Sequence, residues 1–378
     1  MGKRILKPEF LDLLSSIKDK PYAEALSLPG SFYTDASWLD FERERLFAQQ
    51  WICVGRQEEV SQPGDYITID LASEPVLVIH GHDGKIRALS NVCRHRGTVI
   101  AKESGNVKSL LCPYHHWAYD TTGELLNAPL IEPSSHYDLK NCRLPELLCE
   151  HWQGFLFVSL SPSPPDLQQL LVPLESQIKN YHLEEMRLRY LVNESWPVNW
   201  KSLVENFMEG YHLSPLHRNT LHKVNPTSLC RQLTPGQAYF GYKVGFSARV
   251  PEDRIGHSDL SDEELDTCVM FAVPPALTVG IGSDYSSFLC IRPESVDKVH
   301  VKMGLIFYGD NWPQKQVDDA IGLFQETMQE DKAVLEQVQY GMQSRFHAPG
   351  PLAPPDMEGT VWDFYQYLAR TLEQEQTE

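Results

Sequence analysis

Four residues of this sequence have types and spacing that indicate a specific chemistry: Cys93, His95, Cys112 and His115. They form a Cys-x-His pair and, after an interval of sixteen residues, a Cys-x-x-His pair. Two thiolates and two imidazoles can hold a [2Fe–2S] cluster in which one iron keeps the thiolates and the other takes the imidazoles. Because neutral imidazoles raise the reduction potential of such a cluster, the pattern predicts one-electron transfer.

A structural zinc site is the alternative, because zinc also accepts two cysteines and two histidines. Zinc fingers usually pair Cys with Cys and His with His, whereas each pair here holds one of each type. The pattern therefore favours a Rieske cluster. Two histidines stand in the second motif, and the two-residue gap after Cys112 favours His115 as the ligand. His116 is then expected to take part in a hydrogen bond of its loop.

A second constellation lies in a segment that predicts a helix from Trp200 to about Leu213. Glu205, Glu209 and His212 are spaced by four and three residues, so this helix would carry all three on one face. A solvated acidic face is the alternative. It accounts poorly for the apolar residues between the charges, because a buried carboxylate or imidazole is costly unless it is paired or bound to a metal.

His217 completes the constellation, although five residues along a helix would turn it away from His212. Pro215 is expected to end the helix near Leu213, so that the chain folds back and both imidazoles face one metal ion. His222 is interpreted as a loop histidine, because two histidines and one carboxylate already leave open positions on the metal.

The carboxylate is expected on a long helix from Gln314 to about Ser344, which carries a core-facing apolar stripe at three- and four-residue steps. Asp331 interrupts that stripe, and a core-facing carboxylate needs a cation. Two histidines and one carboxylate form the non-haem Fe(II) arrangement with positions open for O₂. A buried salt bridge from Asp331 to Arg or Lys is the alternative. The predicted stripe consists of Ile321, Phe324, Met328, Leu335, Val338 and Met342.

The elements that must position these residues fall into two regions. From about residue 45 to 160 the sequence predicts β structure with a hairpin at Asp83-Gly84, and both cluster loops lie there. The proline-rich stretch 161–165 marks a domain boundary. Helices and strands are mixed beyond it. The predicted elements are helices at Leu167–Tyr181 and Val361–Arg370 and strands at Leu188–Ser195, Cys268–Val273, Ala276–Ile281 and Val299–Tyr308.

The composition limits the classes of partner. The 378 residues include 51 acidic and 33 basic side chains, a net charge of −18. Nucleic acid and anionic membrane surfaces are therefore poor partners. No segment approaches the ~18 consecutive apolar residues of a membrane span, no secretory signal is recognisable, and the cysteines show no disulfide pattern. We therefore expect a cytoplasmic protein with reduced thiols.

Together these residues resemble the catalytic α subunit of the Rieske non-haem iron oxygenases over nearly the whole chain. The motifs are Cys-x-His-Arg-Gly at 93–97, Cys-Pro-Tyr-His-x-Trp at 112–117, and Glu-Asn-Phe-x-Glu-x-Tyr-His at 205–212, followed by His217. The resemblance implies an α+β fold. A β-rich Rieske [2Fe–2S] domain would be inserted in a helix-grip-like catalytic domain with an antiparallel sheet and helices.

The resemblance also implies a domain division and an assembly. Residues 1–44 would be an N-terminal segment packed on the catalytic domain, 45–160 the Rieske domain, and 161–378 the mononuclear non-haem iron domain. Such α subunits form an α₃ ring in which the cluster of one subunit reduces the iron of its neighbour through a bridging carboxylate. Glu209 is expected to be that bridge.

The remaining roles follow from the same resemblance. Asn206 and Glu205 are expected to support the site around the iron. The implied cofactors are the [2Fe–2S] cluster and one Fe(II), with O₂ as co-substrate. The implied cluster ligands are Cys93, His95, Cys112 and His115, and the implied iron ligands are His212, His217 and Asp331.

Glu209 stands where the better-known aromatic dioxygenases place an aspartate. With Glu330-Asp331 and the segment 29–35, it makes the chain similar to the branch of carnitine and choline monooxygenases and betaine demethylases. This implies hydroxylation, with N-dealkylation when the carbon beside nitrogen is attacked, of a quaternary ammonium or betaine-type compound. Ring hydroxylation of an aromatic acid or heterocycle is the alternative, and a Rieske electron carrier without catalysis is an alternative of another class.

The chain has no Gly-rich Rossmann fingerprint and no second cysteine cluster. NADH and flavin are therefore expected on a separate reductase, with or without a ferredoxin. A quaternary ammonium substrate needs an aromatic cage, although aromatic residues at such spacing are more often part of the core. The aromatic candidates in the catalytic half are Tyr211, Tyr239, Phe240, Phe271, Tyr285, Phe288 and Phe307.

Overall fold

The computed structural model describes residues 8–18, 20–132, 138–248 and 256–373. The chain divides into two units: residues 47–165 form an inserted unit, and residues 1–46 and 166–378 together form a main unit. The sequence placed these boundaries at 44 and 160, a few residues earlier. Residues 1–7 and 19 of the predicted N-terminal segment lie outside the described residues.

The inserted unit is built from short strands. Its strands are β1 (Ile52–Arg56), β2 (Asp65–Leu71), β3 (Glu74–His80), β4 (Ile86–Ser90), β5 (Ser104–Asn106), β6 (Leu110–Leu111), β7 (Ala118–Tyr119), β8 (Leu125–Asn127), β9 (Glu146–Trp152) and β10 (Phe155–Ser159). Seven strands form an antiparallel sheet in the order β1-β10-β9-β4-β3-β2-β5, and β6-β7-β8 form a smaller sheet. The predicted hairpin joins β3 to β4, with Gly84 at φ +82° in its turn.

The core of the inserted unit lies beside the cluster loops. Leu77, Ile79 and Leu89 from β3 and β4 are fully buried, and they pack in one cluster with Cys93 and Cys112. Alternating strand residues thus bury one sheet face against the two cysteine loops. The same apolar cluster that stabilises this unit also excludes water from the two thiols.

The main unit contains one seven-stranded antiparallel sheet. Its strands are β11 (Met186–Trp196), β12 (Cys230–Gln232), β13 (Phe240–Gly245), β14 (Thr267–Val273), β15 (Leu277–Ile281), β16 (Tyr285–Ser295) and β17 (Lys298–Tyr308). The order is β11-β17-β16-β15-β14-β13-β12, so only β11 is displaced from chain order. All four predicted strands of this region are present with ends within two residues of the prediction, whereas β12, β13 and β16 were not predicted.

Nine helices are found in the part of the main unit that the structure describes. They are α1 (Pro8–Lys18), α2 (Ser31–Thr34), α3 (Ala36–Glu42), α4 (Leu167–Ile178), α5 (Trp200–Phe207), α6 (Leu213–Leu216), α7 (Asp262–Leu265), α8 (Gln314–Met342) and α9 (Pro355–Glu373). Helix α1 packs against α9. None of the helices described has the length and apolar character that crossing a membrane requires.

Helix α8 confirms the predicted long helix and ends two residues earlier than expected. Phe324, Met328, Asp331 and Leu335 of the predicted stripe are buried. Towards the C-terminus the buried position is Gln339 rather than the predicted neighbour at 338, whose side chain is exposed. The buried face thus presents Asp331 to the interior of the main unit, which is the position that the sequence pattern required.

Candidate functional site

Two loops of the inserted unit carry the predicted cluster ligands and close in the same way. The Cys93 carbonyl accepts a hydrogen bond from the Gly97 N–H at 3.0 Å, and the Cys112 carbonyl accepts one from the His116 N–H at 3.1 Å. Gly97 has φ +76° and His116 has φ +56°, so each turn needs a left-handed residue four positions after its cysteine. His115 and His116 are both exposed, but it is the ring of His115 that lies beside the ring of His95, which favours His115 as the ligand.

The donor atoms of these loops fit an iron–sulfur cluster. Cys93 and Cys112 are buried, and their thiols are within hydrogen-bonding contact of each other. The rings of His95 and His115 stand edge to face with centroids 4.7 Å apart. The buried Nδ1 of His95 has no hydrogen-bond partner among the described residues. Such an unpaired buried nitrogen is explained by a metal bond, and the assignment of these four residues as ligands remains a prediction.

Tyr119 adds a contact to the cluster site that sequence reasoning missed. Its hydroxyl oxygen accepts a hydrogen bond from the Arg94 N–H at 3.1 Å and lies 3.2 Å from Cys93 Sγ. Because the oxygen already accepts from the backbone, its O–H can donate to the sulfur. Burial and the Cys93 contact both raise the pKa of Tyr119, so the hydroxyl keeps its proton at neutral pH. An aromatic residue two positions after Trp117 was the only signal in the sequence.

The predicted helix of the second site is shorter than expected. Helix α5 ends at Phe207, so Glu209 and His212 lie beyond it. The prediction that one helical face carries Glu205, Glu209 and His212 was therefore wrong. These residues converge through a loop that follows the helix, not through helical periodicity.

Gly210 explains why the chain leaves the helix at this point. Its N–H donates to the carbonyl of Met357 in α9 at 2.9 Å, and any Cβ at this position would overlap Cys230 Sγ in β12. The close approach of the loop to both elements requires a glycine. The short helix α6 follows directly, with His212 just before its first residue and His217 just after its last. Pro215 therefore lies within a helical turn, and the prediction that it ends a helix was wrong.

His212, His217 and Asp331 come together in the main unit. One candidate ligand atom of each lies within 4.8 Å of those of the other two. Asp331 Oδ1 is 3.2 Å from His217 Nε2 and 3.6 Å from His212 Nε2. His217 and Asp331 are buried, and His212 is partly buried. The short helix α6 thus holds two imidazoles at its two ends, and α8 directs the carboxylate between them.

The hydrogen bonds of the two histidines fit a bound cation. His217 Nδ1 lies 2.7 Å from Glu330 Oε2, and His212 Nδ1 contacts Glu209 Oε1. A carboxylate only accepts, so each Nδ1 carries the proton and each Nε2 presents a lone pair. The buried Nε2 of His217 has no hydrogen-bond partner among the described residues. Lone pairs directed at the Asp331 carboxylate require a cation between them.

The alternative for Asp331 was a buried salt bridge to Lys or Arg. Within the described residues the ion contacts of Asp331 are with the two histidines alone. Asp331 Oδ1 also accepts a hydrogen bond from Asn206 Nδ2 at 3.2 Å. The predicted supporting residue Asn206 therefore orients Asp331 directly. The donor set of two imidazoles and one carboxylate is the one that non-haem Fe(II) uses, and its assignment as iron ligands remains a prediction.

Glu330 is a supporting residue that the sequence did not single out as such. It accepts hydrogen bonds from His217 and, at 2.6 Å, from the Thr220 hydroxyl. A carboxylate behind a ligand histidine fixes its tautomer and ring orientation. Its position beside Asp331 was the only signal, and helical periodicity alone places it off the buried face.

Glu209 supports the other histidine. The Glu209 carboxylate contacts the ring of His212 and also accepts hydrogen bonds from the backbone N–H groups of Tyr211 and His212. Burial disfavours the charged form of His212, but Glu209 and Asp331 outweigh this effect and raise its pKa. The structure thus shows one of the two contacts that a bridging carboxylate needs.

Glu205, the third predicted supporting residue, belongs to a different network. Its carboxyl group accepts a hydrogen bond from Tyr33 Oη at 2.6 Å, and Tyr33 Oη lies 3.3 Å from Tyr365 Oη. Desolvation raises the pKa of Glu205 to about 8. Nearby, Lys201 and Glu42 form a fully buried ion pair at 2.7 Å. These contacts link α5 to the N-terminal segment and α9.

A cavity of about 170 Å³ is lined by residues that lie close to the candidate iron ligands along the chain. Thr327 and Met328 line it, and they precede Asp331 by one turn of α8. Leu213, directly after His212, also lines it. Sheet residues from β13 to β17 form the opposite wall. The cavity therefore shares its wall elements with the candidate iron ligands.

Among the seven aromatic candidates from the sequence, only Tyr285 lines this cavity. Tyr211 is 53% exposed, whereas Phe271, Phe288 and Phe307 are core residues. The other cavity aromatics were not anticipated, because their approach depends on the sheet register and on α8. The aromatic residues that line the cavity are Phe207, Tyr242, Phe246, Tyr285 and Phe324.

Two family models match the chain. The model described as ring hydroxylating alpha subunit (catalytic domain) matches residues 177–374, more than half of the chain. The model described as Rieske [2Fe-2S] domain matches residues 50–143. The two matched ranges contain the two candidate sites described above.

Curated relatives carry names from one branch. The carnitine monooxygenase oxygenase subunit of Escherichia coli (strain K12) is 32% identical over 197 residues, which cover 51% of this chain and 53% of that protein. The chain thus matches about half the length of this relative. The protein of the same name from Acinetobacter baumannii is 28% identical over 330 residues, covering 85% and 86% of the two chains. The glycine betaine monooxygenase oxygenase subunit of Pseudomonas aeruginosa (strain UCBPP-PA14) is 33% identical over 198 residues, covering 52% of this chain and 46% of that protein.

Solved structures share the fold. A quaternary ammonium Rieske monooxygenase has a TM-score of 0.81 at 23% identity, covering 98% of this chain and 99% of the other. Naphthalene 1,2-dioxygenase from a Rhodococcus species has a TM-score of 0.83 at 19% identity, covering 98% and 100%. At these identities the comparison establishes the fold alone, and it confirms the predicted α+β architecture.

Proposed function

Because this chain belongs to the ring-hydroxylating α subunits of the Rieske non-haem iron oxygenases, we propose that it is the terminal oxygenase component of a multicomponent system. The proposed reaction is O₂-dependent hydroxylation of a small quaternary ammonium or betaine-type compound. Relatives named for carnitine and glycine betaine support this substrate class. Hydroxylation of a carbon beside nitrogen gives a product that expels an aldehyde, so the reaction includes N-dealkylation.

The observation that carries the proposal is the converging donor set of His212, His217 and Asp331, whose neighbours in the sequence line a cavity. An electron carrier needs neither a second metal set nor a cavity. The alternative of a Rieske protein without catalysis therefore has no support in the main unit.

The proposed mechanism assigns separate tasks to the residues of the main unit. Iron held by the two histidines and Asp331 would supply O₂ activation for attack on a substrate C–H bond. Glu209 and Glu330 hold the Nδ1 protons of the two rings and so keep both Nε2 atoms directed inwards. Asn206 fixes the orientation of Asp331. The apolar cavity wall excludes bulk water from the bound substrate.

Electrons are proposed to arrive from outside the chain. A separate NAD(P)H-dependent reductase, with or without a ferredoxin, would reduce the Rieske cluster bound by the four predicted cluster ligands. Within an α₃ trimer Glu209 would connect the iron site to the cluster of a neighbouring subunit. The trimer and a cytoplasmic location are parts of this proposal.

The test is coupled O₂ uptake by iron-reconstituted protein that receives electrons from a surrogate reductase. One substrate panel contains carnitine, choline and betaines, and the other contains benzoates, phthalates and indole-type acids. Uptake with stoichiometric aldehyde in the first panel is the expected result. Uptake with the second panel alone would replace the proposal with ring hydroxylation.

The control is Asp331→Ala, which removes a proposed iron ligand. This variant is expected to lose the mononuclear iron and O₂ uptake while the Rieske absorption spectrum stays unchanged. Retained uptake in this variant would contradict the assigned metal site.

A further inference from the structure

One transverse row of the main sheet lines the cavity. The row crosses five neighbouring strands, β13 to β17, and each member lies directly opposite the next. Residues that lie opposite each other on neighbouring strands point to the same face of a sheet. Gly280 of β15 stands in the middle of the row and brings no side chain to the wall. The members, all of which line the cavity, are Tyr242, Met270, Gly280, Ser287 and Leu305.

The backbone at Gly280 does not require a glycine. Gly280 lies within β15, and its φ is outside the left-handed region. A glycine inside a strand is unfavourable, because it loses more backbone freedom on folding and has no side chain to pack. The close approach of another group is the remaining reason for a glycine in a strand.

The side chain of Met270 makes that close approach. A Cβ atom at Gly280 would lie 2.8 Å from Met270 Sδ, 3.2 Å from Met270 Cε and 3.0 Å from Ser287 Oγ. Non-bonded heavy atoms pack best at roughly 3.5–4.0 Å, so the thioether could not keep its position beside an alanine. Sδ and Cε form the flexible end of an unbranched side chain. A side chain at position 280 would therefore displace Met270 and leave the strand in place.

The surroundings of Met270 direct this displacement into the cavity. Tyr242 flanks Met270 on β13, and Cys268 Sγ lies 3.8 Å from its sulfur on the same strand. The cavity itself is the open side, because Met270 lines it. The cavity volume of about 170 Å³ is small beside the roughly 300–1,000 Å³ of ordinary ligand pockets. A thioether that moves into it would therefore exclude the larger substrates.

We propose that Gly280 and Met270 together set the size of the alkyl groups that the substrate carries on its ammonium nitrogen. Gly280 lets the Met270 side chain lie against the sheet, and this position keeps the cavity open. The inference rests on the proposed function and adds two residues that determine its substrate specificity. Neither residue has a part in the chemical step.

Two pairs of probes differ by one methylene group at nitrogen. The first pair is glycine betaine and its N-ethyl-N,N-dimethyl analogue, and the second is choline and its N-ethyl-N,N-dimethyl analogue. Titration calorimetry with the iron-loaded holoprotein measures the affinity for each probe, and coupled O₂ uptake measures kcat/KM. The selectivity is the ratio of the values for the smaller and the larger probe of a pair. Two different polar ends make the test independent of that part of the substrate.

Three variants test the contact. Gly280→Ala is expected to raise the selectivity for the smaller probe about tenfold, the lower end of what one methylene group decides in an apolar pocket. Met270→Ala is expected to lower this selectivity, because it opens the wall. Gly280→Ala combined with Met270→Ala is expected to behave like Met270→Ala alone, since the displaced thioether is then absent. Such non-additivity is the sign of two residues in direct contact.

Gly245→Ala is the matched control. Gly245 is the last residue of β13 in the same sheet, and it is not among the described residues that line the cavity. A Cβ atom there would meet Leu229 at 3.5 Å, an ordinary contact distance. Its selectivity should equal that of the unchanged protein. The crystal structure of Gly280→Ala checks the cause, and we expect the Met270 side chain to be displaced into the cavity.

The outcomes separate this inference from the proposed function. Equal losses for both probes of a pair in Gly280→Ala, or effects of the two substitutions that multiply in the double variant, would overturn the inference and leave the proposed function intact. Unchanged selectivity in Met270→Ala would do the same, even if Gly280→Ala folds poorly. Absence of binding and of uptake with all four ammonium probes in the unchanged protein would overturn the proposed function and this inference with it.

Discussion

Each of the two candidate ligand histidines, His212 and His217, has its own carboxylate at Nδ1, but the two carboxylates have different surroundings. Glu330 also accepts a hydrogen bond from the Thr220 side chain, whereas Glu209 is otherwise bonded to backbone N–H groups. Glu330 is thus tied to a second side chain of its own subunit. Glu209 is the better candidate for a role that extends beyond the orientation of one ring.

We expect Glu209→Gln to keep both metals and to lose about 100-fold or more of the rate at which the reduced cluster is reoxidised by the iron site. The amide oxygen can still accept from His212 Nδ1, so the ring stays oriented, but the negative charge of the proposed bridge is lost. Single-turnover absorption spectroscopy of the Rieske cluster measures this rate, and metal analysis checks the iron content.

The matched control applies the same substitution to the other histidine. Glu330→Gln also keeps an acceptor at its ring, and we expect a loss of about tenfold, the lower end of what outer-sphere changes cost. Equal losses in the two variants, or full coupled turnover in Glu209→Gln, would contradict the bridging role of Glu209.

Tyr119 gives a second prediction at this scale. A hydrogen bond to a cluster sulfur stabilises the reduced, more negative state and raises the reduction potential. Tyr119→Phe is therefore expected to lower the potential by tens of millivolts, on the order of the ~59 mV of a tenfold change for one electron. Redox titration followed by electron paramagnetic resonance measures the shift.

Tyr114→Phe is the control for this measurement. Tyr114 lies in the same loop as Cys112, but its side chain is 54% exposed and its hydroxyl lies 3.4 Å from the Arg96 side chain. Its potential should equal that of the unchanged protein. A shift as large as that of Tyr119→Phe would show that the effect is not specific to the sulfur contact.

The residue types of both sites could be predicted because metals demand particular donors. Cys and His in mixed pairs, and a carboxylate inside an apolar stripe, are informative without coordinates. Tyr119 and Glu330 could not be predicted in this way. Their roles depend on contacts with residues that are distant in the sequence. In most sequences a tyrosine at such a position is a core residue and a glutamate is a surface residue.

The elements around the candidate iron site show where local sequence patterns fail to predict secondary structure. Residues 205–212 have helical spacing, but Gly210 bonds to α9 and packs on β12, and these contacts stop α5 at Phe207. Helix α8 was predicted well because its stripe continues for many turns. Strand β16 was missed because serines and Pro293 interrupt its apolar pattern.

Gly210→Ala tests this explanation. The added methyl group has no space beside Cys230, so we expect a loss of about 1–3 kcal/mol in the free energy of unfolding and a lower iron content. Chemical denaturation and metal analysis give the two values.

Gly322→Ala is the matched control. Gly322 lies within α8, and a Cβ there meets no atom within 4 Å. This change should stabilise the protein by about 0.5–1 kcal/mol, since alanine loses less backbone entropy in a helix. Stability unaffected by Gly210→Ala would remove the proposed reason for the end of α5.

At the scale of the whole molecule, buried polar contacts tie the N-terminal segment to the rest of the main unit. Tyr33 reaches Glu205 and Tyr365, and Glu42 pairs with Lys201. The sequence predicted that residues 1–44 pack on the catalytic domain but could not identify these pairs. Contacts between residues more than 150 positions apart leave no local pattern.

The raised pKa of Glu205 makes the stability of the main unit depend on pH. With a pKa of about 8 instead of the ordinary value of 4.5 for a glutamate, the folded state binds more protons than the unfolded state between these values. Stability is therefore lost as pH rises through this window. We expect Glu205→Gln to gain stability relative to the unchanged protein by about 1 kcal/mol or more between pH 6 and pH 8.

Denaturant unfolding at several pH values measures this difference. Glu326→Gln is the control, because Glu326 is exposed on α8, and its stability difference should not depend on pH. A constant difference between Glu205→Gln and the unchanged protein across the range would contradict the buried, protonated state of Glu205.

Helix α8 carries both Thr327 and Asp331, four residues apart on one rigid element. A rise of 1.5 Å per residue separates the two positions by about 6 Å along the helix axis. Because Thr327 lines the cavity and Asp331 is a candidate iron ligand, the helical repeat sets the distance between the cavity wall and the proposed iron site. Substrates of different chain length that rest against this wall would then present different carbon atoms to that site.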